Sequence, residues 1–235
     1  MIRGYNIYGE SIQAVEVVLA PGDQVYADPG TMVYMSHGVT INTGTGRGVL
    51  SGIKRMIVGE SFFVSRFQYD GHDYGRVAFS APFPGKIMPI DLSLHDGEYI
   101  CQKNAFLCAS IDVGIGIAFT KKLGAGFFGG EGFILQRLSG HGTAFVHAGG
   151  AIVEHQLAAG EHLNVETGCL VGFSRQVTYD IKFVGGFTNA LFGGEGLFFA
   201  HLVGPGSVLV QSLPFSRLVD RITEVATERH AAGGS

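Results

Sequence analysis

The 235-residue sequence predicts an all-β protein made of three tandem copies of one small β-unit in a single body, followed by a C-terminal helix. Three observations lead there. Two short strings each occur three times at nearly constant separation. Apolar and polar residues alternate along short runs, the period of a half-buried strand. Thirty-seven glycines accompany a hydrophobic content of 46%. That composition suits many short strands joined by tight turns, and it is too apolar for a chain that cannot bury a core.

The first string, L-x-x-G-[DE]-x-[VIL], reads Leu19 to Val25, Leu94 to Ile100 and Leu157 to Leu163. Gly30, Ala105 and Gly168 follow at one offset, with Met32, Leu107 and Leu170 two residues later. The second string runs Gly59-Glu60-Ser61-Phe62-Phe63, Gly130-Glu131-Gly132-Phe133-Ile134 and Gly194-Glu195-Gly196-Leu197-Phe198. From leading Leu to Glu the separations are 41, 37 and 38 residues. Such spacing marks an internal repeat. The units run 14–87, 88–149 and 150–215, with helix and tail over 216–235, and Leu19, Leu94 and Leu157 are expected in equivalent places.

Each unit opens with an alternating strand, at Val15 to Leu19, Ile90 to Leu94 and Ile152 to Leu157. A turn follows at Gly22, Gly97 or Gly160, where glycine accepts a positive φ at little cost. After a second strand, a third is expected around Val39 to Ile41, Val113 to Ala118 and Val177 to Ile181. The segment before each Gly-Glu looks most helical in the first copy, over Val49 to Val58. Hairpins then turn at Gly71, at Gly140 and Gly142, and at Gly204-Pro205-Gly206. The first is the longest, with an insertion of about four residues between Tyr69 and Gly75. Ser216 is placed to N-cap a helix with Leu218, Ile222, Val225 and Ala226 on one face, and His230 to Ser235 form a tail.

The formal net charge of −4 gives no electrostatic basis for binding phosphate backbones, so nucleic acid is not expected as a partner. Cys101, Cys108 and Cys169 form no CxxC pair and sit in apolar runs, which suits a reducing, cytoplasmic compartment. Met1 to Glu10 contains no apolar stretch of the kind a signal peptide needs. The longest apolar candidate, Gly196 to Val210, is broken by Gly204, Pro205 and Gly206 and reads as a hairpin rather than a membrane span.

Glu60, Glu131 and Glu195 stand out as carboxylates among apolar and glycine residues. They could form a threefold carboxylate cluster for a cation or basic partner, or accept hydrogen bonds from their own glycine turns. Their presence in all three copies favours the structural role. The nine histidines match no metal-binding spacing with a mechanism behind it. The weak candidates are His155 and His162, which flank Gly160 and could face each other across a hairpin. Gly124 to Gly130 lacks the Lys-Ser/Thr ending of a phosphate loop, and Ser174 lacks the glycine at position 176 that a nucleophile elbow requires. No catalytic set and no cofactor are indicated. The adjacent pairs Phe62-Phe63, Phe127-Phe128 and Phe198-Phe199 imply strands with apolar surroundings on both faces.

With its L-x-x-G-[DE] turns, its G-E-[SG]-[FL] strings and the Phe-Phe-Gly-Gly-Glu131 region, residues 1 to about 215 resemble the bacterial members of the mitochondrial-biogenesis family AIM24. That family belongs to the superfamily of the tryptophan RNA-binding attenuation protein. The resemblance implies three TRAP-like units of short double-stranded β-helix type, and a homotrimer whose nine units form a ring. It implies no enzymatic activity, and no Lys/Arg stripe matches the RNA site of the namesake. The leading functional expectation is a non-enzymatic, ring-forming scaffold or interaction protein, with a partner protein or a membrane surface against an apolar rim. The alternative is a cupin-type small-molecule-binding or metal-dependent enzyme.

Overall fold

The computed structural model describes residues 2–42, 64–121, 132–184 and 197–232. Glu60, Glu131, Glu195, the segment Val49 to Val58 and the pairs Phe62-Phe63 and Phe127-Phe128 lie outside the described residues. The chain is mainly β, with one C-terminal helix. Its first part holds β1 (Gly4–Tyr8), β2 (Ala14–Leu19), β3 (Gln24–Ala27), β4 (Met32–Met35), β5 (Val39–Asn42), β6 (Ser65–Tyr69) and β7 (Gly75–Ser80). Next come β8 (Lys86–Asp91), β9 (Glu98–Gln102), β10 (Phe106–Ser110), β11 (Val113–Lys121), β12 (Phe133–Gly140) and β13 (Thr143–Ala148). The last group is β14 (Ile152–Leu157), β15 (His162–Glu166), β16 (Leu170–Ser174), β17 (Thr178–Val184), β18 (Leu197–Val203) and β19 (Gly206–Gln211), followed by α1 (Phe215–Ala232).

These strands form four antiparallel sheets in the orders β1-β2-β7-β4, β5-β6-β3-β10-β13-β8, β11-β12-β9-β16-β19-β14 and β15-β18-β17. The pairing recurs with a period of six strands, so the third sheet repeats the second with every strand advanced by six. The registers recur too. The joins of β4 to β7, β10 to β13 and β16 to β19 each carry a bulge at the same step, between Met32 and Tyr34, Phe106 and Cys108, and Leu170 and Gly172. One extra residue there bends the strand and raises its twist.

Successive sheets share apolar clusters. Val17 and Phe79 of the first sheet pack with Phe67, Leu107 and Phe145 of the second. Ala109 and Val146 of the second meet Tyr99, Leu138 and Val171 of the third. Ile100, Leu135 and Phe173 of the third meet Ile181, Ala200 and Leu202 of the fourth. The two central sheets are therefore apolar on both faces, which is why β10 and β16 are buried at every residue rather than at alternate ones.

Two local expectations are corrected. Leu94 is not the equivalent of Leu19 and Leu157: it is 80% exposed, whereas Leu92 is fully buried and takes that place. Unit two has one more residue between its buried leucine and its turn. The stretch folds into a single 3-10 turn, Leu92–His95, in which the Asp91 carboxylate accepts the Ser93 amide at 2.9 Å. The left-handed turn position held by Gly22 and Gly160 is taken there by Asp96, at φ 52°, and Gly97, at φ 75°, follows it. Likewise Ser216 is not the helix cap, because α1 already begins at Phe215, directly after the buried Pro214.

Candidate functional site

Strand pairing between units follows one rule. The second strand of one unit pairs with the third strand of the next: β3 with β10, and β9 with β16. Among the described residues this leaves one third strand and one second strand, at opposite ends of the series, without such a partner, and each keeps an open edge there. β4 pairs with β7 alone, and β15 with β18 alone. An open edge presents unpaired backbone donors and acceptors, and natural proteins usually guard it with charge or proline. β4 has neither: Met32, Val33, Tyr34 and Met35 are 39%, 54%, 47% and 39% exposed.

Beside that edge lies a polar network on the outer face of the first sheet. Glu16, buried, accepts the Tyr34 hydroxyl at 2.6 Å and the Tyr8 hydroxyl at 3.3 Å, and Arg76 stands 3.6 Å away. Chiefly the Tyr34 hydrogen bond holds the Glu16 carboxyl below its ordinary range. The network ties the exposed β4 to β2 across β7. At the other end, His162 on β15 stacks on His201 with ring centroids 5.1 Å apart, and His201 Nδ1 lies 2.7 Å from Asn164 Oδ1.

A second feature is a cavity of about 360 Å³ roofed by the first turns of α1, through Phe215, Val219 and Asp220. Its floor carries Gln102, His147 and Gln211 at the ends of β9, β13 and β19. Phe83 forms a wall, its ring edge-on to His147 at 4.6 Å and tilted against Phe215 at 4.9 Å. Burial lowers the His147 pKa to about 4, so the imidazole is neutral at physiological pH. The helix is held over the cavity by an Arg217–Glu166 ion pair at 3.1 Å.

The histidine candidates are only partly brought together. His155 on β14 belongs to the third sheet and His162 to the fourth, so they do not face each other across a hairpin; the partner of His162 is His201. The chain passes from one sheet to the next at Gly160 instead of folding back along the same sheet. Among the described residues, no group of three His, Cys, Asp or Glu side chains is placed to hold a metal ion. Of the last aromatic pair, Phe198 packs into the third core while Phe199 lies on the opposite face and is half-buried. Cys101 and Cys108 are fully buried, which raises their thiol pKa values, Cys101 to about 12. No described helix is long and apolar enough to cross a membrane. The uncharged run Met32 to Met35 was visible in the sequence as a weak edge signal. The cavity residues were not, because they come from five separate stretches of chain.

This geometry defines an all-β protein of antiparallel sheets that share cores and repeat one pairing rule along the chain. The chain belongs to the mitochondrial-biogenesis family AIM24, whose model matches residues 5–213. It is similar to an uncharacterized protein of Streptococcus pyogenes serotype M6, 31% identical over 208 residues, covering 85% of this chain and 81% of that one. It is also similar to a crystal structure of a Streptococcus pyogenes protein, with a TM-score of 0.75 and 25% identity, covering 94% of this chain and 99% of the other.

Proposed function

We propose that this chain is a non-enzymatic interaction protein that works as a head-to-tail assembly of its own copies. The reading takes residues 14–87, 88–149 and 150–215 as three TRAP-like units, and a homotrimer as a closed ring of nine. The observation that carries it is the pair of complementary open edges. β15 is a second strand lacking a following third strand, and β4 is a third strand lacking a preceding second strand. A heterologous contact of this kind forms a ring when its rotation closes.

The two joints inside the chain supply the register. Tyr26 pairs with Ala109 and Ile100 with Phe173. Carried through the recurring pairings with β7, β13 and β19 and with β6, β12 and β18, the same rule sets Asn164 of one copy opposite Met35 of the next. Tyr34 then faces Val165, and Ser36 faces Leu163. An obligate contact of this type is expected to bury roughly 2,000 Å² or more in total.

The test introduces Met35→Cys and Asn164→Cys together in a Cys169→Ser background. Residues directly opposite across a ladder hold their Cβ atoms at about 4.5–5.5 Å, close enough for a disulfide after a small adjustment. Mild oxidation is expected to give a covalent trimer on non-reducing gels, and either cysteine alone none. A parent chain that scatters light as a monomer at micromolar concentration overturns the assembly.

A further inference from the structure

The cavity beneath α1 is built from groups that the sheets do not need. Gln102 and His147 are 4% and 3% exposed. The Gln102 amide makes no side-chain hydrogen bond among the described residues, and His147 Nδ1 has no protein partner. Their neighbour Gln211 is fully committed: its carbonyl accepts the Gly149 amide at 2.8 Å, and its own amide donates to Gly168 O at 2.8 Å. The amide of Gln102 and the ring of His147 line one cavity with hydrogen-bonding capacity that the described residues leave unused, and leaving a buried polar group such as His147 Nδ1 unpaired costs on the order of 1–3 kcal/mol.

The remaining walls say what kind of group suits that capacity. Phe83 and Phe215 offer ring faces and edges, with Val219, Ala105 and Pro214 filling the gaps. Among the described residues lining the cavity, Asp220 at the rim carries the single formal charge, an acidic one. An anion would find no cation there, and a carboxylate or phosphate would stand near Asp220. At about 360 Å³ the space lies at the small end of ligand pockets and suits one or two fused rings. The neutral amide of Gln102 and the imidazole of His147 each offer both a donor and an acceptor.

We propose that this cavity is a binding site for a small, uncharged, flat molecule whose edge carries a donor beside an acceptor, the pattern of a cyclic amide. Its ring lies against Phe83 and Phe215, and its polar edge meets Gln102 and His147. Helix α1 is the lid, so the part of the chain outside the repeat completes the site. The proposal stands whether or not the chain assembles through β4 and β15, since neither strand contributes a lining residue.

The test uses the full chain and 2-quinolinone as the probe, read by saturation-transfer NMR and titration, with quinoline-2-carboxylate as the anionic counterpart. Saturable binding of 2-quinolinone is expected, with the anion at least tenfold weaker. Gln102→Leu is expected to weaken the lactam roughly tenfold. Val219→Trp, on the part-exposed helix outside the sheets, is expected to abolish binding by filling the cavity. The site is overturned if 2-quinolinone shows no saturable transfer, if Val219→Trp binds it as the parent does, or if the anion binds equally well. Light scattering on the same samples keeps this result separate from the assembly state.

Discussion

The turn between β2 and β3 is pinned by Asp23, and replacing it with Asn tests how much that pin contributes. Asp23 Oδ2 accepts from Arg3 Nε at 2.7 Å and from the Ala20 amide at 2.9 Å, while the Asp23 carbonyl accepts the Tyr69 amide at 3.1 Å. Burial alone would raise its pKa, but the Arg3 guanidinium, the positive α-amino group and the Ala20 amide outweigh it and bring the value from 3.8 down to about 2. Because the folded pKa lies below the unfolded one, the stabilisation is complete above the unfolded value and is lost as pH falls toward the folded value. The depression corresponds to about 2 kcal/mol, trimmed to about 1–2 because half-exposed Arg3 is screened by solvent. Asp23→Asn is therefore expected to lose about 1–2 kcal/mol at pH 7, with the gap to the parent roughly halved near pH 3. Thermal unfolding followed by circular dichroism at fixed chain concentration reads both values. Glu161 is the internal control: it accepts the Ala158 amide at 2.8 Å but has no ion pair among the described residues. Glu161→Gln should cost under about 1 kcal/mol. An Asp23→Asn chain that melts with the parent at pH 7, or a gap that stays flat down to pH 3, refutes the pin.

Two other outcomes follow from the same geometry. Asp96→Gly should stabilise the chain by about 0.5–1 kcal/mol, because Asp96 holds the left-handed position that glycine fills in the other two turns; a denaturation midpoint at or below the parent's would contradict this. One of the nine histidine C2-proton resonances should titrate near pH 4 and be lost on His147→Phe, since burial favours the neutral ring. In the unfolded chain that ring takes up its proton near 6.5, so His147 costs stability as pH falls from about 6.5 to 4.

The recurrence of the strand pairing was legible because two strings recur in the sequence at nearly constant spacing. Strands do form around Val39, Val113 and Val177, though as the fourth of each group rather than the third, and the hairpins turn at Gly140 and at Gly204 to Gly206. String matching failed at unit two. Leu94-His-Asp-Gly97-Glu98 imitates the motif by letter, but the buried position is Leu92 and the turn position Asp96, with one extra residue between them. A buried leucine and an exposed one are the same letter, and only their partners tell them apart. Nor could the sequence show that central sheets bury both faces, which is a property of stacking. His155 and His162 do not face each other for a related reason: the short loop at Gly160 carries the chain from one sheet to the next.

Repetition also explains where the distinctive features stand. Ser80, His147 and Gln211 end the last strands of their units, and Asp28, Gln102 and Glu166 follow or end the second strands, so the cavity floor is built from positions every unit has. In the first unit Ser80 donates to Gln13 O and is satisfied locally. In the third, Gln211 bonds to Gly149 and Gly168 and closes its own corner. In the middle unit His147 Nδ1 has no partner and Gln102 makes no side-chain hydrogen bond among the described residues. That is also where the unrepeated α1 crosses. Helix α1 covers the corner of His147 and Gln102 together with that of Gln211 and Gly168. The open edges obey the same logic in reverse: they are ordinary strands of the repeat, and their position at the two ends alone leaves them free to meet another copy.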